Sequence, residues 1–199
     1  MELILASRNQ KKIKEMETIL ATHFPGVRIL SLDDVGFEGD IEENGTTYEE
    51  NALIKARTAV EAGGNRYAAI ADDSGLCVDA LNGAPGVYSA RYAGEGHDDK
   101  ANNAKLMEDM KDVPDEKRTC RFISAVALAR RGRPVLVVEG KAEGLLLRAP
   151  AGENGFGYDP IFVPEGYDKT FAELSSEIKN TISHRARAME KFLSYINNK

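Results

Sequence analysis

The chain is 199 residues long, 42% hydrophobic and 29% charged. That is ordinary for a soluble globular protein with one sizeable core, so a single domain over 1–199 is expected. A net charge of −6 argues against a broad basic face for duplex nucleic acid, but a few local Lys and Arg residues suffice for one small anion.

No apolar run approaches the roughly 20 residues of a membrane span. The opening "MELILASRNQKK" lacks the basic start and apolar length of a secretory leader, so a cytoplasmic protein without a membrane partner is expected. Two cysteines, Cys77 and Cys120, make neither a disulfide framework nor a zinc site and read as buried thiols. Leu3 to Ala6 reads as a short buried strand, and Ile13, Met16, Ile19 and Leu20 then recur at helical spacing. Val27 to Leu32 suits a second strand. A Gly-rich acidic loop leads to Thr47, which with Glu50 forms a capping box opening a second helix that Gly63-Gly64 stops. Tyr67 to Ala71 reads as a strand ending at Asp72-Asp73, with another short strand at Leu76 to Val78. After a turn-rich loop, Asp98 to Met110 reads as a helix with Leu106, Met107 and Met110 inward. Cys120 to Ala129 and Pro134 to Glu139 predict a hairpin around "RRGR", which Leu145 to Leu147 continues. "PAGENGFGYDPIFVPEGYDKTF" reads as a shaped binding loop, and a last helix runs from about Ser183 to Ile196, with Ala188, Phe192 and Ile196 inward. This mixture predicts an α/β domain around a mixed sheet.

Four stretches carry chemistry-bearing residues. In "ASRNQKK" a strand runs into a polar loop that opens a helix. Its N-terminal amides, with Lys11, Lys12 and Lys14, suit an anion; an ordinary cap by Asn9 before a solvated basic turn suits the residues as well. In "IEENGTTYEENALIKA", Glu42 and Glu43 precede a helix that places Lys55 one turn beyond Asn51; they are surface acids or oxygen ligands for a hard cation. In "AAIADDSG", Ala71 is followed by two adjacent acids; "DDSG" is good turn chemistry, and the turn is the favoured reading of that stretch alone. If a strand carries the acids, they point to opposite faces and need not share a role. In "GFGYDP", Phe156 and Tyr158 offer rings for a base and the amides around Gly157 could read its edge, while Lys179, His184 and Arg185 make a basic cluster near a helix start.

No single motif decides between these readings, but their order does. "SRNQKK", "EENGTTYEENALIKA", "ADDSGLCVDALNGAPGVYSARYAG", "GENGFGYDPIF" and "SHRARAM", spread from Leu3 to about Phe192, together resemble the inosine triphosphatase family of non-canonical purine nucleoside triphosphate pyrophosphatases, the dITP/XTP pyrophosphatases. The resemblance implies an elongated α/β fold: a central mixed β-sheet flanked by helices, two lobes with an active-site cleft between them, and a homodimer. It implies Mg²⁺-dependent hydrolysis of ITP, dITP and XTP to the monophosphate and pyrophosphate.

By motif, the resemblance makes Ser7, Arg8, Asn9, Gln10, Lys11 and Lys12 the triphosphate loop, with Asn9 and Lys12 the direct contacts. Glu43 matches the metal-binding Glu of Glu-x-Gly-x-Thr, with Glu42 a one-residue alternative. Asp73 is similar to the metal ligand and proton acceptor, Asp72 to its paired acid, and Ser74 and Lys55 to substrate contacts. Phe156, Gly157, Tyr158, Asp159, Lys179, His184 and Arg185 match the nucleotide and base contacts. The departures are Ser7, where Thr is common, and Asn154, where a second Gly is frequent. Donors from the 156–159 backbone or from His184 and Arg185 would suit a purine 6-keto oxygen and clash with an amine. Two other readings fit the residues: a Maf-type nucleotide pyrophosphatase, and a non-catalytic module that senses purines.

Overall fold

The computed structural model describes residues 2–133 and 135–197. In chain order the elements are β1 (Glu2–Leu5), α1 (Gln10–His23), β2 (Arg28–Leu30), α2 (Tyr48–Ala62), β3 (Ala68–Val78), α3 (Asp99–Asp109), β4 (Thr119–Ala129), β5 (Leu136–Leu146), β6 (Phe162–Pro164), α4 (Ser176–Ile182) and α5 (His184–Asn197). Six strands form one mixed sheet in the order β2-β1-β3-β4-β5-β6. β1 is parallel to both β2 and β3, and β5 is antiparallel to β6. Among the described residues no helix is long and apolar enough to cross a membrane.

The chain forms two compact units, Met1–Asp73 with Ser124–Gly140 and Arg185–Lys199, and Ser74–Ile123 with Lys141–His184. In the first, Leu3, Leu5, Met16, Leu20, Ile70, Val126, Met189 and Phe192 share one core, with Ile13, Ile19 and Ile196 at its margin. The 3.6-residue spacing of α1 and α5 thus does what it predicts, burying one face of each helix. In the second, Leu76, Val78, Leu106, Met110, Phe122, Phe162 and Phe171 are buried together, and Met107 packs against them.

Two helix starts are capped as expected. The Asn9 side chain accepts from the amides of Lys11 and Lys12 at 3.1 and 3.2 Å. Thr47 Oγ1 accepts from Glu50 N, and the Glu50 carboxylate turns back onto the amide and hydroxyl of Thr46. α4 was not foreseen. It is a seven-residue helix capped by Ser175, between the Gly- and Pro-punctuated loop at 150–171 and the expected last helix.

The main difference from expectation lies at the Asp pair. "DDSG" is not a turn, and the two expected short strands are one: β3 runs unbroken through Asp72, Asp73, Ser74 and Gly75. Its parallel partner stops earlier. Leu5 pairs with Ile70, Ala6 N bonds Ile70 O, and the chain then leaves for α1. The two carboxylates therefore lie just beyond the end of β1, on a strand that continues without it.

Candidate functional site: two groups of buried charges

The first group lies in the first unit, around Asp72 and Asp73. Both are buried, which bare carboxylates do not tolerate without partners. Their partner sets are disjoint, as side chains on opposite faces of a strand require. Asp72 Oδ2 accepts from Arg185 Nε and Nη2 at 3.2 and 3.1 Å, and Lys12 Nζ stands 3.5 Å away. Arg185 Nη1 also donates to Glu15 of α1. On the other side, Asp73 Oδ1 accepts from Lys55 Nζ at 2.9 Å and Asp73 Oδ2 from Asn51 Nδ2 at 3.3 Å. Lys55 Nζ donates equally to Glu43 Oε2 at 3.1 Å, so one ammonium bridges two carboxylates.

Asn51 ties the acidic loop to this pair. Its Oδ1 accepts from Gly45 N at 2.8 Å while its Nδ2 holds Asp73. A Cβ on Gly45 would come within 2.6 Å of that Oδ1, so the loop carrying Glu43 approaches α2 only because residue 45 is glycine. Glu43, not the exposed Glu42, shares a partner with Asp73.

The electrostatics follow. Burial alone would push the Asp72 carboxyl up, but Lys12, Arg185 and Lys55 outweigh it and hold Asp72 well below the usual carboxylate range. Burial lowers the Lys55 pKa, yet Asp73 and Glu43 outweigh it and leave the ammonium raised. For Lys12, burial and the charges of Lys55 and Arg185 win over Asp72, and its pKa is lowered.

The triphosphate loop closes partly on itself. Ser7 Oγ accepts from Asn9 N, and two amides at the start of α1 are taken by Asn9. Arg8 turns to the neighbouring loop, donating to Phe37 O at 2.7 Å and pairing with Asp33 at 3.3 Å. Gln10 and Lys11 are exposed, and Lys12 reaches inward.

The second group lies in the second unit, around Phe156–Asp159. Lys179 Nζ donates to Asp159 Oδ2 at 2.6 Å in a pair whose side chains are 5% and 3% exposed. The same ammonium lies 4.7 Å from the centre of the half-buried Phe156 ring. Asp159 Oδ2 also accepts from Phe156 N, and a Cβ on Gly155 would meet that oxygen at 2.0 Å. His184 is buried and stacks on Phe122, with centroids 4.7 Å apart. Ser74 is half-buried on β3.

Several expectations change here. Tyr158 is not an open stacking ring: it is buried in the core and its hydroxyl donates to Ser89 O at 2.8 Å. The Gly157 amide does not face outward, since it donates to Asp99 Oδ2. Lys179, His184 and Arg185 are not an open basic cluster; all three are buried, and each cation of the set has its own acid. Neutralising a buried carboxylate is the better use of a cation near a core than a solvated face. Sequence reasoning gave no role to Glu15, Asn51, Asp99 or Asn103. Asn51 follows Glu50 in a motif already singled out, and its placement one turn before Lys55 was the available signal.

The Ham1 family model matches residues 3–195. The chain belongs to the Ham1 family. It is 48% identical over 199 residues to a dITP/XTP pyrophosphatase of Mycobacteroides abscessus, covering all of this chain and 96% of that protein. It is 49% identical over 190 residues to a dITP/XTP pyrophosphatase of Bacillus subtilis, covering 96% and 94%. Among solved structures it resembles the Ham1 protein of Staphylococcus aureus with a TM-score of 0.88 at 40% identity, covering 100% and 99% of the two chains. As a Ham1-family member, it carries both buried charge groups inside the matched span.

Proposed function

We propose that this chain acts as one nucleoside triphosphate pyrophosphatase domain that hydrolyses non-canonical purine nucleoside triphosphates (ITP, dITP and XTP) to the monophosphate and pyrophosphate. Its Ham1-family membership and the named activity of its full-length relatives support the reaction class. The observation that carries the chemistry is the ammonium of Lys55 held between Glu43 and Asp73. It marks a place built for positive charge between two hard oxygen donors.

That donor set fits Mg²⁺, which takes one or two carboxylates and completes its shell with phosphate and water. Among the described residues no three His, Cys, Asp or Glu side chains form a group that could hold a metal ion. When bound by Glu43 and Asp73, Mg²⁺ would neutralise phosphate charge, while Asp72, on the other face of β3, is taken by Arg185 and Lys12 and is not in reach of that donor pair. Lys12 and Lys55 add local positive charge for the triphosphate, and Ser7 to Lys11 shape the loop around it. Arg185 acts through Asp72, holding that carboxylate and leaving Lys12 to reach the phosphates.

Asp73 is the proton acceptor. A water oriented by its carboxylate attacks the α-phosphorus. The new P–O bond forms as the bond to the bridging oxygen of the β-phosphate breaks, pyrophosphate leaves, and the water proton passes to Asp73. Positioning and charge do most of this work, as phosphoryl chemistry generally requires.

At the base end, Phe156 offers one ring face, the other being covered by Lys179. Selectivity for a 6-keto purine then rests on that stacking and on His184. The Phe156 and Gly157 amides are already donating to Asp159 and Asp99. We take the working enzyme to be a cytoplasmic homodimer without a nucleic-acid partner; light scattering of the purified protein checks the dimer. The test of function is pyrophosphate release from ITP, XTP, GTP and ATP, each with Mg²⁺ and with EDTA. Strong release from ITP and XTP only with Mg²⁺ is expected. ATP turned over as fast as ITP removes the selectivity account. No release from any of them, by folded protein, leaves a purine-binding module.

A further inference from the structure

The peptide at Gly157 is gripped on both sides by α3. Its N–H donates to Asp99 Oδ2 at 2.8 Å, and its C=O accepts from Asn103 Nδ2 at 2.8 Å. Asn103 Nδ2 also donates to Asp99 O at 2.8 Å, so the two grips are joined one helical turn apart. Two neighbouring acids divide the work at this helix start. Asp98 caps the helix by accepting from Lys100 N and Ala101 N, which leaves the Asp99 carboxylate to reach across to a loop 58 residues away in sequence.

This grip is not an ordinary helix cap. Asn103 is buried, its Nδ2 faces two carbonyls, and its Oδ1 has no hydrogen-bond partner. A buried acceptor left in that state costs stability. An apolar residue on this face of α3 would avoid the cost, but it would not hold Gly157 O. The loop is also held from a second direction, since Phe156 N and Lys179 both bond Asp159 Oδ2. Phe156 thus sits between two anchored peptides, with its ring over Lys179. Gly157 has φ +61°, a left-handed turn that lets its N–H and C=O meet the two α3 side chains.

We propose that Asp99 and Asn103 are positioning residues for base recognition: they hold the Gly157 peptide so that Phe156 presents a fixed ring face to the purine and the Gly157 amide is withheld from it. The proposal rests on the function argued above and names which part of the chain sets its base selectivity. Neither residue touches the reacting atoms. Their loss therefore weakens the base end of binding and spares the chemical step.

The test uses the full chain and the variants Asp99→Ala, Asp99→Asn, Asn103→Leu, Asn103→Asp and Asn103→Ser. Calorimetry measures the Kd of IMP, and kinetics measure KM and kcat for ITP and the Ki of inorganic tripolyphosphate. The expected result for Asp99→Ala and Asn103→Leu is an IMP Kd and an ITP KM raised about tenfold, the loss of roughly one charge-assisted or two neutral hydrogen bonds. kcat stays within about twofold, and the tripolyphosphate Ki does not move. Asp99→Asn keeps an acceptor and restores most of the affinity; Asn103→Asp has no donor and does not. Asp99→Asn is isosteric; Asn103→Asp buries a carboxylate against two carbonyls, so Asn103→Ser, uncharged and too short to hold Gly157 O, reads the effect if Asn103→Leu and Asn103→Asp unfold the chain. Unchanged IMP Kd in all folded variants overturns the proposal, as does an equal loss for tripolyphosphate, which would mean general damage. A wild-type chain that hydrolyses ITP while the variants behave like it removes this inference alone. A wild-type chain that neither binds IMP nor hydrolyses ITP removes both this and the function it rests on.

Discussion

Replacing Arg185 with leucine tests whether the buried charges around Asp72 form a single balanced unit. The guanidinium is 1% exposed and makes two hydrogen bonds to Asp72 and one to Glu15. Without it, Asp72 stays buried with Lys12 at 3.5 Å and the more distant charge of Lys55. Breaking a buried pair by removing one partner costs about 3–5 kcal/mol. Lys12 remains and the Glu15 side chain is 16% exposed, so water reaches part of the site and the lower end, about 3 kcal/mol, is expected. For a chain of 199 residues that is a fall in Tm of about 6–12 °C. Differential scanning calorimetry at pH 7, in a buffer free of phosphate and other polyanions, reads it. The double variant Arg185→Leu/Asp72→Leu removes both charges, and apolar replacement of a buried pair is near neutral, so it should recover at least half of the loss. A fall of less than about 2 °C for the single variant, or a double variant less stable than the single one, would refute the reasoning.

Three further outcomes follow from the same geometry. Asp73→Asn keeps the side-chain size and the acceptor for Lys55, but it sets an amide NH2 against Asn51 Nδ2 and removes the proton acceptor; kcat for ITP should fall by about 100- to 10,000-fold, and unchanged turnover would take Asp73 out of the mechanism. Asp72 has a folded pKa depressed below its unfolded value of about 3.9, so its contribution is fully present above about pH 5 and is lost as pH falls below about 4. The Tm gap between wild type and Asp72→Asn should therefore shrink on acidification from pH 7 to 3, and a gap that widens would contradict the assigned cation partners. Gly155→Ala places a Cβ 2.0 Å from Asp159 Oδ2 at a φ of +76°, which must displace Asp159 from Lys179; IMP affinity, measured by calorimetry, should drop about tenfold or more, and wild-type affinity would show that the Asp159–Lys179 pair does not shape the base end.

How much of this was readable beforehand differs by element. α1, α2, α3 and α5 declare themselves because their caps and apolar spacing are local: Asn9, Thr47 and Asp98 each bond amides two or three residues away. The order of the charged motifs was equally plain, and through the family resemblance it pointed to nucleotide chemistry, with Asp73 and Glu43 as metal ligands and Lys55 as a substrate contact. The Asp pair was misread as the end of a strand because "DDSG" satisfies turn chemistry by itself, and nothing local says that Lys12, Lys55 and Arg185 will supply the charge that lets a strand carry it. Tyr158, Lys179 and Arg185 read as open contact residues, since an aromatic or a cation after a Gly-rich loop looks the same whether it meets solvent or a core.

What the sequence by itself determined was the helices α1, α2, α3 and α5, the polar loops between them and the list of groups able to handle a metal and a phosphate. Those depend on neighbours within a turn or two of chain. Only the tertiary structure decided which acid each cation neutralises, that Glu43 rather than Glu42 shares Lys55 with Asp73, and that α3 holds Gly157. Those partners lie from 12 to 170 residues apart in sequence, and burial selects among them by the cost of leaving any one charge or amide without its counterpart.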